Sequence, residues 1–323
     1  MSKNQLCKVL GIKKPVIQGP MAWVSTAPLA AAVSEAGGLG VLGVGFAPID
    51  VMISQIEDTK KLTNQPFGIN VVMIPEMLDA VTEVALKEKP PVIYADTVLG
   101  LDVNLCKKYF GIWHNGGMKI IVKASTLDDA VIAEAGGADV VIVKGWEGGG
   151  HVTFEATTVL VPQAADRLSI PVVASGGIAD GRGMAAAVAL GADGFEMGTV
   201  FLACSEGTIP EAAKQAVVNA KDMENVITGL STGEPCRQIK NKLSDELLQI
   251  ERTYLAAEAA EKMKDVAEGS LKKAMLEGDV ENGAVMAGQI APLVTSIRPV
   301  AEIIDTALEE CRQVLQNMTQ FNF

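Results

Sequence analysis

Two histidines occur among the 323 residues, and one of them ends the glycine run of VVIVKGWEGGGHVTF, residues 140–154. Lys144 closes a stretch of β-branched residues; Glu147 follows, then Gly148, Gly149 and Gly150, then His151. An imidazole titrates near neutrality, so it can give a proton or hydrogen bond to a substrate oxygen, or polarise a bound anion. His151 is therefore the candidate catalytic group, set against the plainer role of a loop histidine satisfying backbone groups. His114, in GIWHNGG between a helix and a strand, reads better in the plainer role.

A second signature lies in PVVASGGIADGRGMAAAVALGADGFEMGTVF, where two glycine turns, Gly176–Gly177 and Gly198–Thr199, stand about 22 residues apart. Glycine lets backbone N–H groups close on an anion that side chains would hold away, and a following helix N-terminus adds partial positive charge. Singly, each is an ordinary tight turn; paired at the ends of the last two strands of a barrel, they make a phosphate site. Such a cradle takes a phosphorylated substrate or a flavin mononucleotide. The loop Gly19-Pro20-Met21-Ala22-Trp23 combines small residues with a flexible thioether. That suits backbone packed beneath a flat aromatic ring, and equally a hydrophobic plug at a barrel mouth. Arg237, Lys240 and Lys242 form one basic cluster on an acidic chain. They suit a pyrophosphate or an acidic protein surface, or are simply an exposed helix start.

These groups need a frame. Short Val- and Ile-rich runs recur, each followed by a glycine-containing turn and a stretch of helical periodicity, which means βα units and a parallel sheet. Strands are predicted at 15–19, 38–45, 67–73, 91–98, 118–124, 139–145, 171–177 and 193–202, and eight is the number that closes a (β/α)8 TIM barrel. Their C-terminal ends turn small, polar or flexible at Gln18, Gly19, Met21, Asn70, Lys144, His151, Ser175, Gly176, Gly177, Gly198 and Thr199. That is the rim where barrels place ligands. The domain reading is a barrel over 1–202, a helical insertion over 203–268 after strand 8, and a C-terminal segment over 269–323 that returns to the pocket and the outer helix layer.

Composition narrows the classes. With 49% hydrophobic and 20% charged residues the chain is globular. A net charge of −12 argues against nonspecific nucleic-acid binding. Five scattered cysteines without metal-ligand spacing read as thiols of a reducing cytoplasm, and no run of apolar residues suggests a membrane span.

The motifs QGPMAWV, EAGGLGVLG, PFGINVVM, GWEGGGH, VASGGIADGRG, MGTVF and VMAGQIA, in this order over nearly the whole chain, resemble those of the flavin-dependent nitronate monooxygenase and enoyl-acyl-carrier-protein reductase II family. The reductase II branch is the nearer likeness, through the GxMAWV-type loop, the stretch Arg237 to Leu243 and the segment Gly278 to Gln289. The resemblance implies FMN at the barrel mouth. Met21 and Ala22 would lie against the isoalloxazine, Asn70 and Lys144 near its polar edge or the ribityl chain, and Gly176, Gly177, Gly198 and Thr199 around the phosphate. Gly19, Gly149, Gly150, Ser175, Met197, Met286, Gly288 and Gln289 would complete the pocket. Lys144 stands where many relatives carry Gln or Glu, and an ammonium there would favour an anionic reduced ring. The glycine run would bring backbone close to the flavin and leave His151 room to meet a substrate carbonyl or nitronate.

The resemblance also implies NADH or NADPH as electron donor, an acyl-thioester or other small substrate, acyl-carrier protein as a partner, and a homodimer. This chain departs from the pattern in having Asp96-Thr97-Val98-Leu99-Gly100 in place of a glycine-rich turn after the fourth strand, and Val200 in place of an arginine; the histidine common after the eighth strand is absent from SEGTIPEA. Three activities follow as alternatives: an enoyl-thioester reductase, a nitronate monooxygenase passing flavin electrons to oxygen, and a noncatalytic flavin- or phosphate-binding barrel.

Overall fold

The computed structural model describes residues 4–97, 100–318 and 320; two residues of the departing turn, Val98 and Leu99, lie outside them. Eight parallel strands form one sheet: β1 (Val16–Gln18), β2 (Gly40–Leu42), β3 (Phe67–Val72), β4 (Val92–Asp96), β5 (Lys119–Ala124), β6 (Val140–Lys144), β8 (Val172–Ser175) and β9 (Gly194–Met197). They run in the order β1-β9-β8-β6-β5-β4-β3-β2, and the parallel bridge Ile17↔Leu39 brings β2 round to β1. The result is the expected TIM barrel, with helices between strands. Among the described residues no helix is long and apolar enough to cross a membrane.

Side chains on a strand alternate between two faces, and here the alternation builds two cores. Val141, Val143, Val172 and Ala174 point outward into the layer shared with the helices. Val41, Ile121, Val140, Ile142 and Val173 point inward, joined from below by Leu6 and Leu10 of the N-terminal helix Gln5–Leu10, which plugs the barrel's base. Gly194 is part of that fit, because a Cβ there would lie 2.2 Å from Leu6 Cδ2.

The segment expected to be helical over 203–268 also contains strands. β10 (Asn225–Thr228) and β11 (Cys236–Ile239) pair antiparallel, and β11 pairs in turn with the two-residue β7 (Gly150–His151). The predicted eighth strand is shorter than its apolar run, since Gly198 ends it and Thr199–Leu202 winds into a helix. The basic cluster does not form one surface. Strand alternation turns Arg237 inward, 3% exposed, its guanidinium over the Trp146 ring, while Lys240 faces Asp245 at 3.8 Å.

Candidate active site

At the C-terminal end of the barrel opens a cavity of about 310 Å³. Its polar wall is the top layer of the barrel interior. Two residues beyond the buried Tyr94, Ile121, Ile142 and Val173 stand Asp96, Lys123, Lys144 and Ser175, all lining the cavity, and Glu196 stands two beyond Gly194. Lys123 is ion-paired with Asp96 at 2.7 Å. Glu196 is 5% exposed and accepts from Tyr94 Oη at 2.5 Å and Ser175 Oγ at 2.7 Å. Burial pushes the Glu196 carboxyl above its ordinary value against the pull of those two hydrogen bonds and of Lys123 and Lys144. Phe46, Leu202, Leu271, Met275, Met286 and Ile290 supply an apolar wall opposite in character.

The loop after β1 is held by its own hydrogen bonds. Gln18 Nε2 donates to Ser25 Oγ at 2.7 Å, Ser25 Oγ accepts from Met21 N at 2.9 Å, and Ser25 N donates to Met21 O at 2.9 Å. Trp23 takes φ +66°, a left-handed conformation that a bulky residue adopts only when its surroundings impose it. Gly43 lets the loop descend, since a Cβ there would lie 2.3 Å from Met21 O. Met21 and Ala22 thereby reach the cavity.

The two glycine turns differ from each other. Gly176, at φ +92°, is packed, with a Cβ there meeting Gly145 O at 3.0 Å. Gly198 faces open cavity, where an added Cβ would find only the Met21 sulfur, at 3.9 Å. The helix N-terminus expected to assist is already used: the Asp180 side chain caps Gly181–Ala189 by accepting from Arg182 N and Gly183 N. At these two turns the groups that reach the cavity are therefore backbone rather than charged side chains.

The glycine run packs against the returning C-terminal segment. A Cβ on Gly149 would lie 2.7 Å from Gly288 N, and one on Gly288 would lie 2.8 Å from Glu147 O. Gly288 N donates to Thr199 Oγ1 at 2.8 Å, which joins that segment to the second turn. Glu147 accepts from Thr157 Oγ1 at 2.8 Å and Thr157 N at 3.1 Å, anchoring the run to the next helix. Lys144 Nζ donates to Gly149 O at 2.7 Å and His151 O at 2.8 Å. Burial first, then Lys123, pushes the Lys144 pKa down to about 8. The His151 ring opens onto the cavity yet is closely surrounded, so burial first, then Lys144 and Lys123, lowers its pKa.

The structure brings to this cavity Gly19, Met21, Ala22, Asn70, Lys144, Gly149, Gly150, His151, Ser175, Gly176, Gly177, Met197, Gly198, Thr199, Met286 and Gly288. It does not bring Gln289, which is exposed and contributes only its backbone, Gln289 N donating to Glu147 O at 2.9 Å. Tyr94, Asp96, Lys123 and Glu196 were not singled out as site residues, although polar residues two places beyond a strand's apolar core carry the signal.

Comparison with known proteins agrees along the whole chain. The family model described as nitronate monooxygenase matches residues 3–98 and 81–310. A probable nitronate monooxygenase of Staphylococcus aureus is 30% identical across 98% of this chain and 99% of its own. Among solved structures, FabK from Thermotoga maritima superposes with a TM-score of 0.92 at 35% identity, covering 100% of both chains. Nitroalkane oxidase from Streptomyces ansochromogenes gives 0.80 at 30% identity, covering 96% of this chain and 99% of that one. The chain belongs to the nitronate monooxygenase family of FMN-dependent oxidoreductases.

Proposed function

We propose that the protein is an NAD(P)H-dependent enoyl-acyl-carrier-protein reductase II. The observation that carries this reading is the set of apolar side chains Phe46, Leu202, Leu271, Met275, Met286 and Ile290 that line the same cavity as His151. An acyl chain has apolar surface to bury there, whereas a small nitronate leaves most of it wet. The whole-length likeness to FabK, an enoyl-acyl-carrier-protein reductase II, supports the same choice.

The residues present fit FMN. Gly198 leaves open space at the second turn, Gly177 adopts φ +75° beside it, and Met21 and Ala22 line the same cavity. Gly177, Gly198 and Thr199 would hold the phosphate, and Met21, Ala22 and Asn70 the ring. FMN, when bound, supplies reversible two-electron hydride chemistry. Lys123 and Lys144 place positive charge on the cavity wall, offset by Asp96 and Glu196. His151, its pKa lowered, is neutral at pH 7 and acts as an N–H hydrogen-bond donor to the thioester carbonyl oxygen, drawing electron density from the double bond. Leu271, Met275 and Met286 exclude water from the reacting carbons.

A second reading, nitronate oxidation, is favoured by the Asp96–Lys123 pair, which gives the β4–β5 side of the cavity a charged character that an anion can use. The deciding experiment is anaerobic. The FMN-loaded protein is bleached with NADH or NADPH and then mixed with crotonyl thioester; return of the yellow colour at a catalytic rate supports the reductase. Failure to bleach with either nicotinamide, together with bleaching by a nitronate and recovery with oxygen, transfers the protein to the oxidase class.

A further inference from the structure

Lys144 ends β6 at the top of the barrel interior, and its side chain lies along the glycine run at the cavity wall. The stem is admitted by Gly148, where an added Cβ would lie 2.4 Å from Lys144 Cε. The other two glycines serve different ends. Gly149 accommodates the Ala287–Gly288 backbone, and Gly150 turns the chain at φ +70°, with only the Met286 sulfur, at 3.8 Å, near its missing side chain. Having passed under Gly148, the ammonium donates to the carbonyls of Gly149 and His151, at 2.7 and 2.8 Å. β11 holds the end of the run from the other side, with Arg237 opposite Gly150 and Cys236 opposite His151.

We propose that Lys144 is the positioning residue for His151: threaded under Gly148, its ammonium clamps the carbonyls at both ends of residues 149–151 and so fixes where the imidazole stands over the cavity. This rests on the reading of His151 as the group that meets the substrate oxygen. The charged and titratable groups around the pair are Lys123 on β5, Asp96 on β4, Glu196 on β9, Cys236 on β11 and Glu234 just before it. Charge-assisted bonds to carbonyls are stronger than neutral ones, so the clamp is tight while Lys144 is protonated. It slackens above about pH 8, where the amine keeps only two of its three donors. The same cation suppresses protonation of His151.

Because the chain has two histidines, ¹⁵N-histidine labelling gives a readable imidazole spectrum, and His114→Gln assigns it. In the FMN-loaded protein, His151 is expected to titrate below the ordinary histidine range and to show a second inflection near pH 8. In Lys144→Met that inflection disappears and the His151 pKa rises, while Lys144→Arg keeps it low. Turnover in Lys144→Met falls roughly 10- to 10²-fold with the flavin spectrum retained, the size expected when a reacting group is displaced by about 1 Å. Gly148→Ala, which displaces the stem and keeps the charge, moves the His151 signals without raising its pKa to the Lys144→Met value. Should Lys144→Met lose its flavin, the two apoproteins are compared in the same titration.

His151 signals in Lys144→Met that overlay wild type across the pH range overturn the clamp, and so does unchanged turnover in a flavin-holding Lys144→Met when His151→Ala itself loses turnover. If instead His151→Ala leaves turnover intact, the functional reading of His151 fails while a displaced imidazole still supports the clamp.

Discussion

A single added carbon separates the glycines that face the cavity from those that pack the protein. Gly198 has φ −115°, a conformation open to any residue, and no atom but the Met21 sulfur within 4 Å of a built Cβ. Gly198→Asp is therefore expected to fold normally and to lose FMN, because the carboxylate fills the cradle and repels the phosphate. Absorbance after reconstitution checks it, and full retention would move the phosphate elsewhere. His151→Ala is expected to keep the flavin and lose roughly 10²-fold or more in turnover, the usual size of a positioned acid–base contribution. Stopped-flow absorbance should find reoxidation by substrate slowed more than reduction by the nicotinamide, since the hydrogen bond serves the acceptor; equal slowing of both points to a damaged pocket. At this scale the sequence was most legible where a residue type is rare in its surroundings, as with His151 and the paired glycines. Gln289 misled because its motif contributes backbone: the N–H reaches Glu147 while the side chain points to solvent. Asp96, Lys123 and Glu196 were not read as site residues because a charge at a strand end also reads as a surface residue.

Elements were legible where periodicity ran long enough to register. The βα alternation spans residues 16 to 197 and yielded all eight barrel strands, whereas β7 has two residues and β10 and β11 four each, too few for a period of two to stand out among helix formers. Yet β11 is what backs His151, so the least legible element supports the most legible residue. What holds the regular elements together is often backbone against backbone. The helix Ala27–Glu35 lies so close on β2 that a Cβ on Gly40 would stand 1.9 Å from Ala30 O. A carbonyl cannot swing aside as a side-chain tip can, so Gly40→Ala must push the helix off the sheet. The expected cost is about 1–3 kcal/mol or more, the range for overpacking a filled core, read as a lower urea midpoint. A midpoint equal to wild type would mean that this helix shifts freely on the barrel.

Across the whole molecule, chemistry and stability occupy opposite ends of the barrel, the arrangement that lets this fold vary its activity through loops at one end. The cavity end carries the buried Glu196, the glycine run and Trp23 at φ +66°. The base is closed by Leu6 and Leu10 and tied by Asp139, which precedes β6 and accepts from His114 Nε2 at 2.8 Å, Lys119 Nζ at 2.9 Å and Ile120 N at 2.8 Å. Burial alone would raise the Asp139 carboxyl, but the hydrogen bonds from Lys119, His114 and the Ile120 N–H outweigh it and hold the group below its ordinary value. A carboxyl whose folded pKa lies below its unfolded one contributes stability in full above the unfolded value, near 3.8, and loses it as pH falls through the folded value. Asp139→Asn should therefore lower the unfolding free energy at pH 7 by about 1–3 kcal/mol, the scale of hydrogen bonds to a charged group. The gap to wild type should narrow as pH falls below about 4. Because Asp139 sits at the far end from the cavity, the flavin spectrum and FMN retention of the folded variant should match wild type. Urea unfolding of both proteins at pH 7 and pH 3 decides the matter: a gap that stays constant between the two would mean that shape, not the charge of this carboxylate, ties the base of the barrel.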